Sequence, residues 1–104
     1  MTDKTINLPS TMSIGPVRIH NVRYQMEIRG GGDIWRIHGE AENHPDIPSG
    51  RVVLPTNPKS YDRITKRFVT NSGRVYEIIS FGQKEADFTT QIEKDIANGG
   101  FEYH

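Results

Sequence analysis

Residues 22–42 read VRYQMEIRGGGDIWRIHGEAE, and this stretch decides the fold. In its first half Val22, Tyr24, Met26 and Ile28 alternate with Arg23, Gln25, Glu27 and Arg29. In its second, Trp35, Ile37, Gly39 and Ala41 alternate with Arg36, His38, Glu40 and Glu42. A period of two belongs to a strand with one dry face and one wet face. The turn Gly30-Gly31-Gly32-Asp33 joins the two halves into a hairpin, since glycine supplies the positive φ that such a turn needs. With that turn Ile28 faces Trp35, Met26 faces Ile37, Tyr24 faces Gly39 and Val22 faces Ala41, while Glu27 meets Arg36, Gln25 meets His38 and Arg23 meets Glu40. A slip by one residue would break the apolar and the charge matches together.

Upstream, Val17 and Ile19 share one parity and Val22, Tyr24 and Met26 the other. The phase changes at His20-Asn21, which predicts a β-bulge or a sharp bend. Residues 1–16 carry Pro9, Gly15 and Pro16 among scattered aliphatics and read as an extended arm. Downstream, residues 43–50 are a loop by composition, residues 51–54 a short apolar strand stopped by Pro55, and residues 57–62 a turn-rich stretch. Residues 66–70 and 75–79 form a second hairpin around Asn71-Ser72-Gly73, with Phe68 near Tyr76 and Arg67 opposite Glu77. The last element is a helix over about residues 87–98. Asp87 caps it, Phe88, Ile92 and Ile96 recur at steps of four, and Gly99-Gly100 end it. Phe101 folds back to widen this narrow stripe and leaves Glu93, Lys94 and Asp95 wet.

Five strands followed by one helix predict a mainly β domain of the α+β class over residues 17–104. The expected architecture is a small antiparallel five-stranded barrel or roll, SH3-like by preference, with an OB-like barrel or a curved sheet packed on the helix as alternatives.

Composition narrows the function classes. A chain of 104 residues with 34% hydrophobic and 25% charged residues makes one domain with a thin core. The absence of cysteine excludes a disulfide framework and thiolate or zinc–cysteine chemistry. No apolar run approaches a membrane span, and MTDKTINLPSTMS lacks the apolar segment of a signal peptide, so the expected setting is the cytoplasm, with no membrane partner. The formal net charge of zero gives no overall field for nucleic acid. Zero conceals a split: up to Gly82 there are eleven basic against eight acidic residues, and from Gln83 onward two against five. A tail packed on the body would neutralise both parts.

Chemistry-bearing residues are few. His38, Glu40, Glu42 and His44 recur every second residue, as metal ligands on one strand face would, but the hairpin register sets arginine and glutamine against that row and makes it a charge ladder. His44 with Asp46, and Tyr61 with Asp62, have acid–base potential. No GxSxG, HExxH, P-loop or GxGxxG accompanies them, so no catalytic, metal or cofactor residue is assigned, and a metal-dependent or acid–base enzyme ranks last. Two binding readings remain. An acidic helix presents Glu85, Asp87, Glu93 and Asp95 to the basic groove of a protein partner. Alternatively Arg51, Arg63, Lys66, Arg67 and Arg74 surround the second hairpin, where Phe68 and Tyr76 would stack nucleic-acid bases. The protein partner is preferred.

The strings Trp35-Arg36-Ile37-x-Gly39, His44-Pro45-x-Ile47-Pro48-x-Gly50-Arg51-Val52 and Thr70-x-Ser72-Gly73-x-x-Tyr76 resemble small proteins of phage, prophage and plasmid origin that carry no assigned activity. That resemblance implies a compact regulator or inhibitor of host machinery, for instance an anti-defence protein, and it assigns no catalytic residue.

Overall fold

The structure is a computed structural model that describes residues 15–103. Among them the order is β1 (Val17–Glu27), β2 (Ile34–Glu42), β3 (Val52–Val53), β4 (Pro58–Asp62), β5 (Arg67–Thr70), β6 (Val75–Ile78), α1 (Glu85–Asn98) and β7 (Glu102–Tyr103). Nearly all of the proposed arm, residues 1–14, lies outside the described residues. The domain is mainly β with one helix near its C-terminal end. Its sheet is open and mixed, in the order β3-β2-β1-β6-β5-β4, with β7 also on β2, which corrects the preferred expectation of an antiparallel five-stranded barrel. The β1–β6 pair is parallel. β3 takes Gly39 and Glu40 while β7 takes Ile34 and Trp35, so these two short strands share the edge of β2 that β1 leaves free.

Two strands were not expected. Asn57 and Pro58 made residues 57–62 read as turn, yet β4 pairs with β5 at the end of the sheet, where a proline at the first strand position costs no ladder bond. β7 is only two residues long and forms because the helix returns the chain to the edge of β2. Only residues 54–57 separate β3 from β4, at opposite ends of the sheet order. Five Cα steps span at most about 19 Å, so the sheet must curl.

The expected bulge is present. The β1–β2 register shifts between His20 and Arg23, and Asn21 adopts a left-handed φ of 56°. This kink re-aims β1 so that Ile19 and Val22, both fully buried, point into one core. Residues after β6 follow the kinked edge: the Ile79 N–H donates to the Ile19 carbonyl at 2.9 Å, the Val22 N–H to Ser80 at 3.0 Å and the Gly82 N–H to Val22 at 2.8 Å.

The hairpin register differs from the expected one by two residues. Met26 faces Trp35, Tyr24 faces Ile37 and Glu27 faces Ile34, leaving residues 28–33 as the connection. A shift of two keeps every side chain on its face. Ile28 loses its partner and stands 82% exposed, whereas Ile34 is buried and pairs with Tyr103 of β7. The bulge then sets Ile19 rather than Val22 against Ala41, and a Cβ on Gly39 would come within 2.5 Å of Ile19 Cγ1. Glycine at position 39 is therefore demanded by Ile19 and by the His20 carbonyl oxygen, 3.1 Å from the same Cβ.

The polar face of β2 is less wet than its sequence implies. Arg36 and His38 are buried. Arg36 Nη2 donates to the Leu54 and Pro55 carbonyls at 3.2 and 2.8 Å, and its guanidinium lies 5.4 Å from the Phe101 ring centre. It thereby ties the β3–β4 link to β2.

α1 begins at Glu85, two residues before the expected cap. Lys84 occupies the N-cap without a side-chain hydrogen bond, and Asp87 lies in the first turn, where its charge suits the helix dipole. Gly99, at φ 84°, ends the helix as expected, and Phe101 turns back into the core. Phe88 is fully buried with its ring 5.5 Å from Tyr24, 6.0 Å from Tyr61 and 5.4 Å from Phe81. One helical side chain thus joins β1, β4 and the segment after β6.

Replacing Gly39 with alanine is expected to cost about 1–3 kcal/mol in chemical denaturation. Cutting Ile19 to alanine in the same chain should relieve part of that cost in a double-mutant cycle; strictly additive losses would disprove the contact.

Candidate partner-binding surface

Residues 63–66 connect β4 to β5 and bring the basic hairpin against the acidic helix. The turn is built by Asp62: its Oδ1 accepts the N–H of Ile64 at 2.8 Å and of Thr65 at 3.2 Å, and its carbonyl accepts the N–H of Lys66 at 2.9 Å. Those backbone donors hold its carboxyl below the ordinary aspartate range. Lys66 completes the turn with a left-handed φ of 59° and feeds directly into β5.

Two ion pairs clamp this turn to α1. Arg63 Nε and Nη2 each donate to Glu93, both at 2.8 Å, and Lys66 Nζ pairs with Glu85. Glu85 and Glu93 lie eight residues apart, about 12 Å along the helix axis. The fork of Arg63 holds the carboxyl of Glu93 below its usual range, and Glu93 in turn pushes Arg63 up. The charge split between body and tail is in this way partly cancelled by direct contact.

The residues expected to meet a protein partner therefore have different fates. Asp87 is exposed, and Glu85 and Glu93 stand at the surface within ion pairs. Asp95 is fully buried, which corrects its expected place on the wet face. The reason is helical phase: Asp95 follows Phe88 and Ile92 at steps of four and three, which turns it toward the sheet. Gln91 donates to its Oδ1 at 3.0 Å. The buried hydroxyl of Tyr24 lies beside it, though Tyr24 Oη and Asp95 Oδ2 find no hydrogen bond of full geometry among the described residues. Burial holds the Asp95 carboxyl above the ordinary aspartate range, against the lowering pull of Tyr24 and Gln91.

The residues expected to meet nucleic acid do not gather into one platform. Phe68 pairs with Tyr76 and Arg67 with Glu77 as expected, but the two rings stack on each other inside the core, 5.0 Å apart. Tyr76 thus offers no face to a base. Arg63, Lys66 and Arg67 lie at the start of β5, while Arg74 stands beyond its other end with Asp46 at 4.0 Å. Arg51 is exposed just before β3, where its carbonyl accepts from Ala41.

Of the row along β2, Glu40 and Glu42 form ion pairs with β1. Arg23 reaches Glu40 at 3.2 Å, and Glu42 is held by His20 at 2.8 Å and Arg18 at 3.2 Å. His38 faces Arg23, and burial lowers its pKa. His44 lies in the following loop and accepts the N–H of Asp46 at 3.0 Å. An open groove of about 400 Å³ lies at the C-terminal end of α1 between Asn57, Asn98 and Tyr103; its carboxylate, Glu102, is engaged by Lys94 and Gln91.

Sequence reasoning missed the clamp. The signal was present in the spacing: Glu85, Thr89 and Glu93 recur every four residues and so share one ridge of the helix. Finding their basic partners required β4, which read as turn. Compared with protein-family models, curated proteins and solved structures, the chain matches none.

Substituting Asp95 with asparagine should raise the thermal midpoint at pH 7. The sign follows from a carboxyl whose pKa is raised by folding: burial costs stability only above its unfolded pKa of about 3.9, where the unfolded chain loses the proton first. The advantage of Asp95→Asn should shrink as the pH falls toward about 4. A difference that is constant from pH 7 to pH 4 would rule out the buried carboxyl as its cause.

Proposed function

We propose that this protein is a non-enzymatic cytoplasmic binding module that docks on a protein. One observation carries the reading: Arg63 and Lys66, two of the five basic residues that would serve nucleic acid, are joined to the helix by their pairs with Glu93 and Glu85, forming a mixed-charge surface, while Phe68 and Tyr76 stack on each other in the core. Such a surface suits a protein with groups of both signs. Among the described residues no helix is long and apolar enough to cross a membrane. An SH3-like curl of the open sheet belongs to the same proposal, supported by the short link between its two ends. The resemblance to small proteins of mobile elements directs the choice of partner toward host machinery, anti-defence targets included. Nucleic acid is the second reading, supported by the exposed Arg51 and Arg67.

The test compares two ligands. The tagged protein should capture a discrete partner from cells of its own host, and the Glu85→Lys, Glu93→Lys double variant should lose it, whereas the Arg67→Glu, Arg74→Glu variant should keep it. No retention on a mixed single-stranded oligonucleotide is expected at low salt. Retention that weakens with salt and disappears in the arginine variant would transfer the function to nucleic acid.

A further inference from the structure

Six large apolar side chains are exposed among the described residues: Ile28, Val52, Leu54, Ile64, Ile79 and Tyr103. Single exposed apolar residues are ordinary, so exposure alone says little. Five of the six follow from their positions. Val52 and Leu54 flank the buried Val53, and Ile79 follows the buried Ile78 at the end of β6. Ile28 adjoins the glycine connection, and Tyr103 is on the short edge strand β7.

Ile64 is different. It is 91% exposed at the tip of the β4–β5 turn. A β-branched apolar residue has no local advantage at such a position, where polar turn formers serve better. Yet its backbone is held by the Asp62 carboxylate, and the residues on both sides of it are fastened to the helix: Arg63 by two bonds to Glu93, and Lys66 by Glu85. We infer that Ile64 is the apolar anchor by which this surface enters a pocket on a protein partner, an assignment that rests on the docking function proposed above.

The physical case is preorganisation. Binding through a loose loop must first order it, and that cost falls on affinity; a turn already clamped at both shoulders has little left to lose. Binding energy at protein interfaces concentrates in a few side chains seated in dry pockets and ringed by polar contacts. Ile64 supplies the first part and the two ion pairs the second. The ring also selects the class of partner. Arg63 and Lys66, the two cations of the turn, each have their own carboxylate, so the turn itself carries no positive excess to attract phosphates or an anionic lipid surface. It suits a protein pocket that is apolar at its floor and bears both charge signs at its rim.

A photo-crosslinking amino acid placed separately at positions 28, 52 and 65 of the full chain, expressed in its own host, tests the assignment. A discrete protein adduct is expected from position 65. It should fall at least about tenfold when Ile64→Asp is added and survive Ile64→Leu. Because the side chain is exposed, Ile64→Asp should leave the thermal midpoint within about 3 °C of the parent. Adducts from position 28 or 52 in place of 65, or an adduct at 65 indifferent to Ile64→Asp, would overturn the anchor and leave the docking function standing. Absence of protein adducts at all three positions would overturn both. Co-sedimentation with phosphatidylglycerol vesicles that depends on Ile64 would make the occupant lipid and also overturn the assignment.

Discussion

The packing of Phe88 against three aromatic neighbours is the contact on which the rest of this structure depends. A seven-stranded open sheet with two-residue strands sharing one edge has few ladder bonds there to hold its shape. The helix supplies what the ladders lack: from one side chain it touches Tyr24 in the centre of the sheet, Tyr61 at its far end and Phe81 between them. Rings at these separations add directional attraction to the burial of their area. Truncating such a side chain removes the common support of three segments that are distant in sequence.

The kink at Asn21 makes that contact possible. A straight β1 would place Val17 and Ile19 on the face opposite Tyr24, and two of the strand's five apolar side chains would lie away from the other three. The bulge returns them to one side. Two glycines complete the arrangement. Gly39 leaves room for Ile19, and Gly82 lies where a Cβ would come within 2.9 Å of the Asn21 carbonyl. The chain beyond β6 can therefore run close beside the kink and deliver Phe81 and Gln83 to the core side, where Gln83 accepts the N–H of Tyr24 at 2.6 Å.

Placing the helix has a consequence at the surface. Its buried stripe faces the sheet, and the adjacent ridge of Glu85 and Glu93 meets the β4–β5 turn. Exposed ion pairs contribute little to stability, so their structural effect is mainly to fix the turn's orientation. The same packing draws Asp95 inside, beside Tyr24, where a carboxyl is costly to keep charged. Binding surface and buried charge thus share one origin, the docking of α1.

The sequence by itself determined the local features: both hairpins, the alternation along β1, the bulge at His20-Asn21, the Phe68–Tyr76 pair and the glycine end of the helix. Each rests on periodicity or turn chemistry acting within a few residues, and such preferences survive whatever the distant chain does. Tertiary structure alone decided the two-residue shift of the first hairpin, the parallel β1–β6 pair, strands β4 and β7, the burial of Asp95 and the clamp between turn and helix. These depend on segments that meet only after collapse. Ile34 is buried where it pairs with Glu27 of β1 on one side and Tyr103 of β7 on the other, and β7 follows Phe101, which returns to the core after the helix. Periodicity of two specifies a face but accepts any even register, so the choice among registers is left to contacts that form only in the folded chain.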